Sequence, residues 1–262
     1  MDLRLEDKHA LVLGASQGLG LASARALLAE GGRVTISGRS SERLEAARAS
    51  FPLDWQERCF LAVADLSNPD AAETIAAAAR QSAGAVDILV NNTGGPPPGQ
   101  PSAITPDAMA VHFASMVQPV VALTLDLVQS MRERGWGRVI TIASSGVVQP
   151  IPHLPISNAL RSTLVGFMKS LAGEVAPDGV TVNMVLPGRI ATGRTQSIDT
   201  LQAEKSGKAL AEVIQASTAS IPAGRYGTPE EFASVIAFLA GVPASYVTGS
   251  MVRVDGGAIR SI

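Results

Sequence analysis

The chain has 262 residues, 46% hydrophobic and 17% charged, enough apolar material to bury a continuous core and too little charge for a disordered chain. Twenty-one basic against 23 acidic side chains give a formal charge of −2. With no basic block to neutralise a run of phosphates, a nucleic-acid partner is not expected.

Taken in chain order, a strand at 9–13 leads into a helix at 19–30, a strand at 33–37 into 41–48, and a strand at 60–64 into 70–82. The strand at 88–91 precedes a long helix at 105–134, and the strand at 138–142 precedes a helix at 160–176. A last strand at 181–186 is followed, after a long interval, by a helix at 229–239. Gly31 and Gly32 close the first helix, and Pro69 with Asp70 opens the third. The Pro- and Gly-rich stretch 94–101 reads as an irregular loop over the carboxyl edge of the sheet. Strands that are continuously apolar and alternate with helices make an α/β fold, a doubly wound parallel sheet. No linker, repeat or break in composition divides it, so one domain is expected over 1–262.

Asp2, Arg4, Glu6, Asp7 and Lys8 interrupt the first ten residues, which therefore do not read as a secretion signal. No uninterrupted apolar run reaches bilayer length, so no membrane partner is expected. The single cysteine, Cys59, rules out an internal disulfide framework and fits a reducing compartment, with the cytoplasm as the expectation. No His, Asp or Glu pair at helical spacing marks a metal site.

Directly after the first strand comes Gly14-Ala15-Ser16-Gln17-Gly18-Leu19-Gly20, leading into an apolar-periodic helix. Gly14 leaves the strand sharply, Gly18 lets amides approach a pyrophosphate, and Gly20 lets helix and strand pack closely. The spacing, G-x-x-x-G-x-G, differs from the usual dinucleotide fingerprint, but the strand–turn–helix setting gives it a Rossmann character. At the end of the second strand, Ser37-Gly38-Arg39-Ser40 offers no carboxylate for a free ribose 2′-hydroxyl. Arg39 instead presents a cationic fork suited to a 2′-phosphate, so NADP(H) is expected over NAD(H).

Further motifs follow the turn: Asp65-Leu66, Asp87 to Gly94, Gly137-Arg138-Val139-Ile140, Gly179 to Asn183, Leu186-Pro187-Gly188, Gly227 to Glu231 and Val254 to Gly257. In this order the series resembles the short-chain dehydrogenase/reductase family nearly end to end. The nearest likeness is to ketoacyl-carrier-protein-reductase-like members, within a divergent subgroup with a proline-rich segment and an altered active site. The resemblance implies that Ser16, Gln17, Gly18, Leu19 and Gly20 cradle the pyrophosphate and that Asp65 and Leu66 flank adenine. It further implies that Asn92 and Gly94 line the ribose, and that Pro187, Gly188, Ile190 and Thr192 contact the nicotinamide half. The stretch 190–222 becomes a substrate-covering segment. The helices at 105–134 and 160–176 become a dimer face, and 252–262 completes a tetramer.

The family's proton relay uses Asn, Ser, Tyr and Lys. The serine after the strand at 138–142 is Ser144; the tyrosine position thirteen residues on holds Ser157, and the lysine position four further holds Arg161. The asparagine position falls on Met116. A serine hydroxyl is a far weaker acid than a phenol of pKa ≈ 10, and general acid catalysis contributes about 10²- to 10⁴-fold. Arg161 can hold ribose hydroxyls and stabilise an oxyanion. His153, in the loop before Ser157, has an intrinsic pKa suited to proton donation and is a further candidate. Tyr226 and Tyr246 lie in motifs remote from the chemistry. The expectation is an oxidoreductase acting on a small carbonyl or secondary alcohol. The rivals are a catalytically silent dinucleotide-binding protein, acting as a sensor or partner subunit, and non-redox chemistry on the same scaffold.

Overall fold

One seven-stranded parallel sheet runs in the order Cys59–Val63, Arg33–Gly38, His9–Val12, Ile88–Asn91, Gly137–Ile142, Val180–Pro187 and Met251–Val254, and its inner strands, apolar along most of their length, have no solvent face. The computed structural model describes residues 1–261; Ile262, the end of the expected tetramer segment, lies outside the described residues. In chain order the elements are β1 (His9–Val12), α1 (Gly18–Ala29), β2 (Arg33–Gly38), α2 (Ser41–Ala49), α3 (Leu53–Gln56), β3 (Cys59–Val63) and α4 (Ala71–Ala83). There follow β4 (Ile88–Asn91), α5 (Pro106–Met116), α6 (Gln118–Glu133), β5 (Gly137–Ile142), α7 (Pro155–Val175) and β6 (Val180–Pro187). The chain closes with α8 (Gly193–Ser206), α9 (Leu210–Ala219), α10 (Pro229–Ala240) and β7 (Met251–Val254).

Two apolar layers sandwich the sheet. On one face Ile75 of α4, Leu123 and Leu127 of α6, and Leu164 and Met168 of α7 pack on Leu11, Leu89, Val139 and Val182. On the other, Leu27 and Leu28 of α1, Leu44 of α2, and Phe232 and Ile236 of α10 pack on Val12, Val34, Val90 and Val185. The winding reverses between β1, which pairs with β2, and β4, which pairs with β5. Above that switch point the loops after β1 and β4 diverge and leave a crevice at the carboxyl edge of the sheet. Gly31 takes φ +87°, ending α1 as the glycine pair implies.

The structure differs from the sequence expectations in the helix at 105–134, in the start of α7, and in two elements the sequence did not announce, α3 and β7. The helix expected at 105–134 is two, α5 and α6, separated at Val117, with Pro119 in the first turn of the second, where its missing amide is harmless. Helix α7 begins at Pro155, five residues before the expected 160, which brings Ser157 and Arg161 onto its first turns. The segment 190–222, expected to form a loop and helices, holds α8 and α9, separated at Gly207 with φ +66°. One stretch, Pro106–Glu133, is apolar enough over its 28 residues to pass the length and composition test for a membrane span, where none was expected. It is the broken α5–α6 pair, and Val120, Leu123, Leu127 and Met131 of α6 are buried against the sheet.

Candidate active site

Backbone geometry explains the glycines after β1. Gly14 and Gly18 take φ +57° and +59°, the left-handed region that side chains rarely adopt. At Gly20 an added Cβ would collide with the Gly14 carbonyl, which is the close helix–strand approach expected of it. The turn is tied to its neighbours: Ala15 N–H donates to Ser37 O at 3.0 Å, and the Asn92 side-chain amide donates to Gly14 O at 3.2 Å. Helix α1 then starts with no side-chain cap and no acidic residue in its first turn. Its free amides and dipole therefore point at an open space suited to an anion.

That space is one cleft of about 950 Å³, within the range of small-molecule sites. One end, where the adenine half of a dinucleotide would lie, is lined by Arg39, Arg43 and Leu66, the middle by Gly14, Ser16, Gln17, Gly18 and Leu19, and the far end by Asn92, Thr93, Gly94, Ser144, Ser157 and Arg161. Pro187, Gly188, Ile190 and Thr192 form the wall opposite the glycine turn. Gly188 is required there, because a Cβ would lie 2.7 Å from the Asp255 backbone.

Three expected residues take other positions. Gly20 is buried and does not line the cleft, because it serves the close packing of helix on strand. Asp65 does not line the cleft; its carboxylate accepts the Ser67 amide at 2.9 Å and hydroxyl at 2.8 Å, which hold its pKa below the usual value. His153 is exposed, takes φ +62° and is not a lining residue, while its backbone carbonyl accepts the Gly99 amide at 2.9 Å. Met116 is buried in the core, so nothing polar stands in the asparagine position. Tyr226 donates to Asp199 at 2.9 Å and Tyr246 is wholly exposed; neither lines the cleft.

Residues 157 and 161 lie one helical turn apart on α7, both buried from bulk solvent yet lining the cleft. Arg161 donates to Ile142 O at 2.9 Å and to Thr93 O at 3.3 Å, which ties α7 to the ends of β5 and β4. No carboxylate pairs with it among the described residues. Burial, and then the charge of Arg194, push its pKa down to about 10, which leaves it cationic at neutral pH. Ser144 Oγ accepts the Gly146 amide at 3.0 Å, so its own hydrogen is free to donate into the cleft. Thr93 Oγ1 is buried with no partner, an orphan on the wall of an otherwise well-bonded site.

The sequence reading did not single out Arg43, Thr93 and Arg194. Arg43 lies in the first turn of α2, while Arg39 precedes its N-cap Ser40, so the two arginines meet at the cleft through the turn from β2 into the helix. Arg194 reaches across 98 and 99 positions to Pro96 O at 3.2 Å and Gly95 O at 3.3 Å, a contact with no local signal.

A dinucleotide fits these residues: a left-handed glycine turn, uncapped helix amides, two arginines without ionic partners at the adenine end, and an orphaned hydroxyl at the other. Residues 14–258 match the family model described as Enoyl-(Acyl carrier protein) reductase. The chain belongs to the short-chain dehydrogenase/reductase family. It is 36% identical to Nodulation protein G of Rhizobium sp. (strain N33), over 97% of each chain. It is 35% identical to the 3-oxoacyl-(acyl-carrier-protein) reductase FabG of Vibrio cholerae, over 97% of this chain and 98% of that one. Among solved structures, L-sorbose reductase from Gluconobacter frateurii, complexed with NADPH and L-sorbose, superimposes with a TM-score of 0.94 at 31% identity, covering all of both chains.

Proposed function

We propose that this chain is a one-domain, NADP(H)-dependent oxidoreductase that reduces a carbonyl group or oxidises the matching alcohol. Ser144, Ser157 and Arg161 stand where the family carries serine, tyrosine and lysine. The observation that carries the reading is the single cleft, which joins the glycine turn and Arg39 at one end to these three residues at the other. That the sorbose reductase relative was solved with NADPH supports the cofactor.

NADPH, when bound, supplies the hydride. The amides of 16–19 would hold its pyrophosphate, Arg39 with Arg43 its 2′-phosphate, and Asn92, Gly94 and Arg161 its nicotinamide ribose. Ser144 donates its free hydrogen to the substrate oxygen. The Arg161 charge stabilises that oxygen as it becomes negative, in a wall from which water is largely excluded. The Ser157 hydroxyl, which makes no hydrogen bond to protein among the described residues, passes its proton to that oxygen and is reprotonated by water. The balance would be one hydride to the carbonyl carbon and one proton to its oxygen. A serine in this place makes the chemical step slower than a phenol would.

The test follows NADPH fluorescence and absorbance with a panel of carbonyl compounds that includes ketoacyl thioesters. Turnover that falls in a Ser144→Ala variant supports the reading. The second reading, a silent dinucleotide-binding protein, draws on Met116 being buried in the core and on the missing phenol. Tight NADPH binding with no hydride transfer in a single turnover would establish it.

A further inference from the structure

The cleft is lined by five arginines, Arg39, Arg43, Arg161, Arg189 and Arg194, and by no aspartate or glutamate. The cofactor accounts for part of this charge. Arg39 and Arg43 lie where a 2′-phosphate belongs, and Arg189 is neutralised by its ion pair with the buried Asp199. Two cations remain, Arg161 and Arg194, close enough that the charge of Arg194 lowers the pKa of Arg161. Both stand at the end of the cleft that receives the reduced nicotinamide riboside, which carries no negative charge.

The Arg194 guanidinium is held in place there. Two of its five N–H groups donate to the Gly95 and Pro96 carbonyls at 3.3 and 3.2 Å. Glycine at 95 leaves room for this placement, because a Cβ there would lie 2.5 Å from Arg194 Nη2 and push the guanidinium aside. Three N–H groups stay available, enough for a bidentate carboxylate contact. Two like charges without an ionic partner repel each other, and an anion placed between them relieves that repulsion.

We propose that the substrate is a carbonyl compound bearing a carboxylate, which Arg194 binds at the mouth of the cleft while Ser144 and Arg161 hold the carbonyl oxygen. The proposal rests on the oxidoreductase reading of the same site and narrows its substrate to oxo acids.

The test uses equilibrium binding, which does not depend on turnover. Calorimetry on the protein–NADP⁺ complex compares 2-, 3- and 4-oxo acids of matched length with their uncharged amides. At least one acid is expected to bind about tenfold or more tighter than its amide, the scale of a charge-assisted contact. Arg194→Gln is expected to erase that ratio and Arg194→Lys to restore part of it, with NADPH affinity unchanged in both. Equal binding of every acid and amide, or no binding of any oxo acid, overturns the proposal. So does an Arg194→Gln variant that loses NADPH affinity at an unchanged ratio, because the arginine would then serve the cofactor pyrophosphate. A preference for the acid with no NADPH oxidation would uphold the anion site and refute the oxidoreductase reading instead.

Discussion

At the scale of single residues the site is defined by where positive charge lies without an internal partner. Arg39 and Arg43 make no ion pair among the described residues, and both line the adenine end of the cleft. Hydrogen bonds to charged groups are worth about 1.5–3 kcal/mol. Arg39→Asp is therefore expected to weaken NADPH binding roughly 10- to 100-fold, while NADH binding holds or improves. Fluorescence titration with both cofactors measures this, and an unchanged NADPH preference would remove Arg39 from the site. In the proposed mechanism Arg161 stabilises the developing oxyanion. Losing one oxyanion-stabilising donor costs about 10²- to 10³-fold in kcat, so Arg161→Gln should fall by that order in steady-state kinetics. Arg161→Lys, which keeps the charge but cannot reach both the Ile142 and Thr93 carbonyls as a fork does, should retain more of it. Equal loss in the two variants would mean that the fork geometry matters and the charge does not.

At the scale of elements, much of the architecture was legible because buried parallel strands have no polar face: β1, β2, β4, β5 and β6 are apolar runs that the sequence announces. Strand β7 escaped notice because it is an edge strand whose residues alternate between exposed and half-buried, and β6 is its only partner. The α5–α6 break escaped because hydropathy runs on through Val117, although Pro119 was there to read. The glycine turn could be read locally, since each glycine answers to a backbone need. Thr93 and Arg194 could not, because their roles arise from chain segments that meet only in the fold. Helix α10, packed on α1, shows a sequence signal that is fully realised. Thr228 Oγ1 accepts the Glu231 amide at 3.1 Å, and the Glu231 carboxylate accepts the Thr228 amide at 2.8 Å. Thr228→Ala should cost about 1 kcal/mol, a fall in Tm of roughly 2–4 °C for a chain of this size. Arg225, bonded to both Glu231 oxygens, and the Thr228 amide lower the Glu231 pKa from 4.5 to about 2. Because the folded-state pKa is depressed, this contribution is complete above pH 4.5 and lost as pH falls toward 2. The Tm difference between wild type and Glu231→Gln should therefore shrink across that window, and a difference constant with pH would mean the carboxylate charge plays no part.

At the scale of the whole molecule, the α5–α6 pair covers the sheet with only part of its apolar surface. One third of the most apolar 18-residue window in Pro106–Glu133 is buried, although its mean hydropathy is 1.6. Val111, Phe113 and Leu125 stay 66%, 37% and 50% exposed on these two helices. Surface of this kind is worth about 25 cal/mol per Å² once it leaves water, and a second copy of the chain applied through a two-fold axis would cover the same patch on both molecules. We propose a homodimer through α5 and α6, which form one part of the dimer face, together with the helix at 160–176, that the family resemblance implies, the segment 252–262 then completing a tetramer. Sedimentation velocity at micromolar concentration should give a dimer or tetramer for the wild type. Val111→Glu with Leu125→Glu places charges in the patch at positions that make no core contact, so the monomer fraction should rise while circular dichroism stays that of the folded chain. A wild type that sediments as a monomer, or a double variant that assembles as tightly as the parent, would leave this apolar face to another partner. Flotation with vesicles would then be the next measurement, because a lipid surface is the other medium that would cover it.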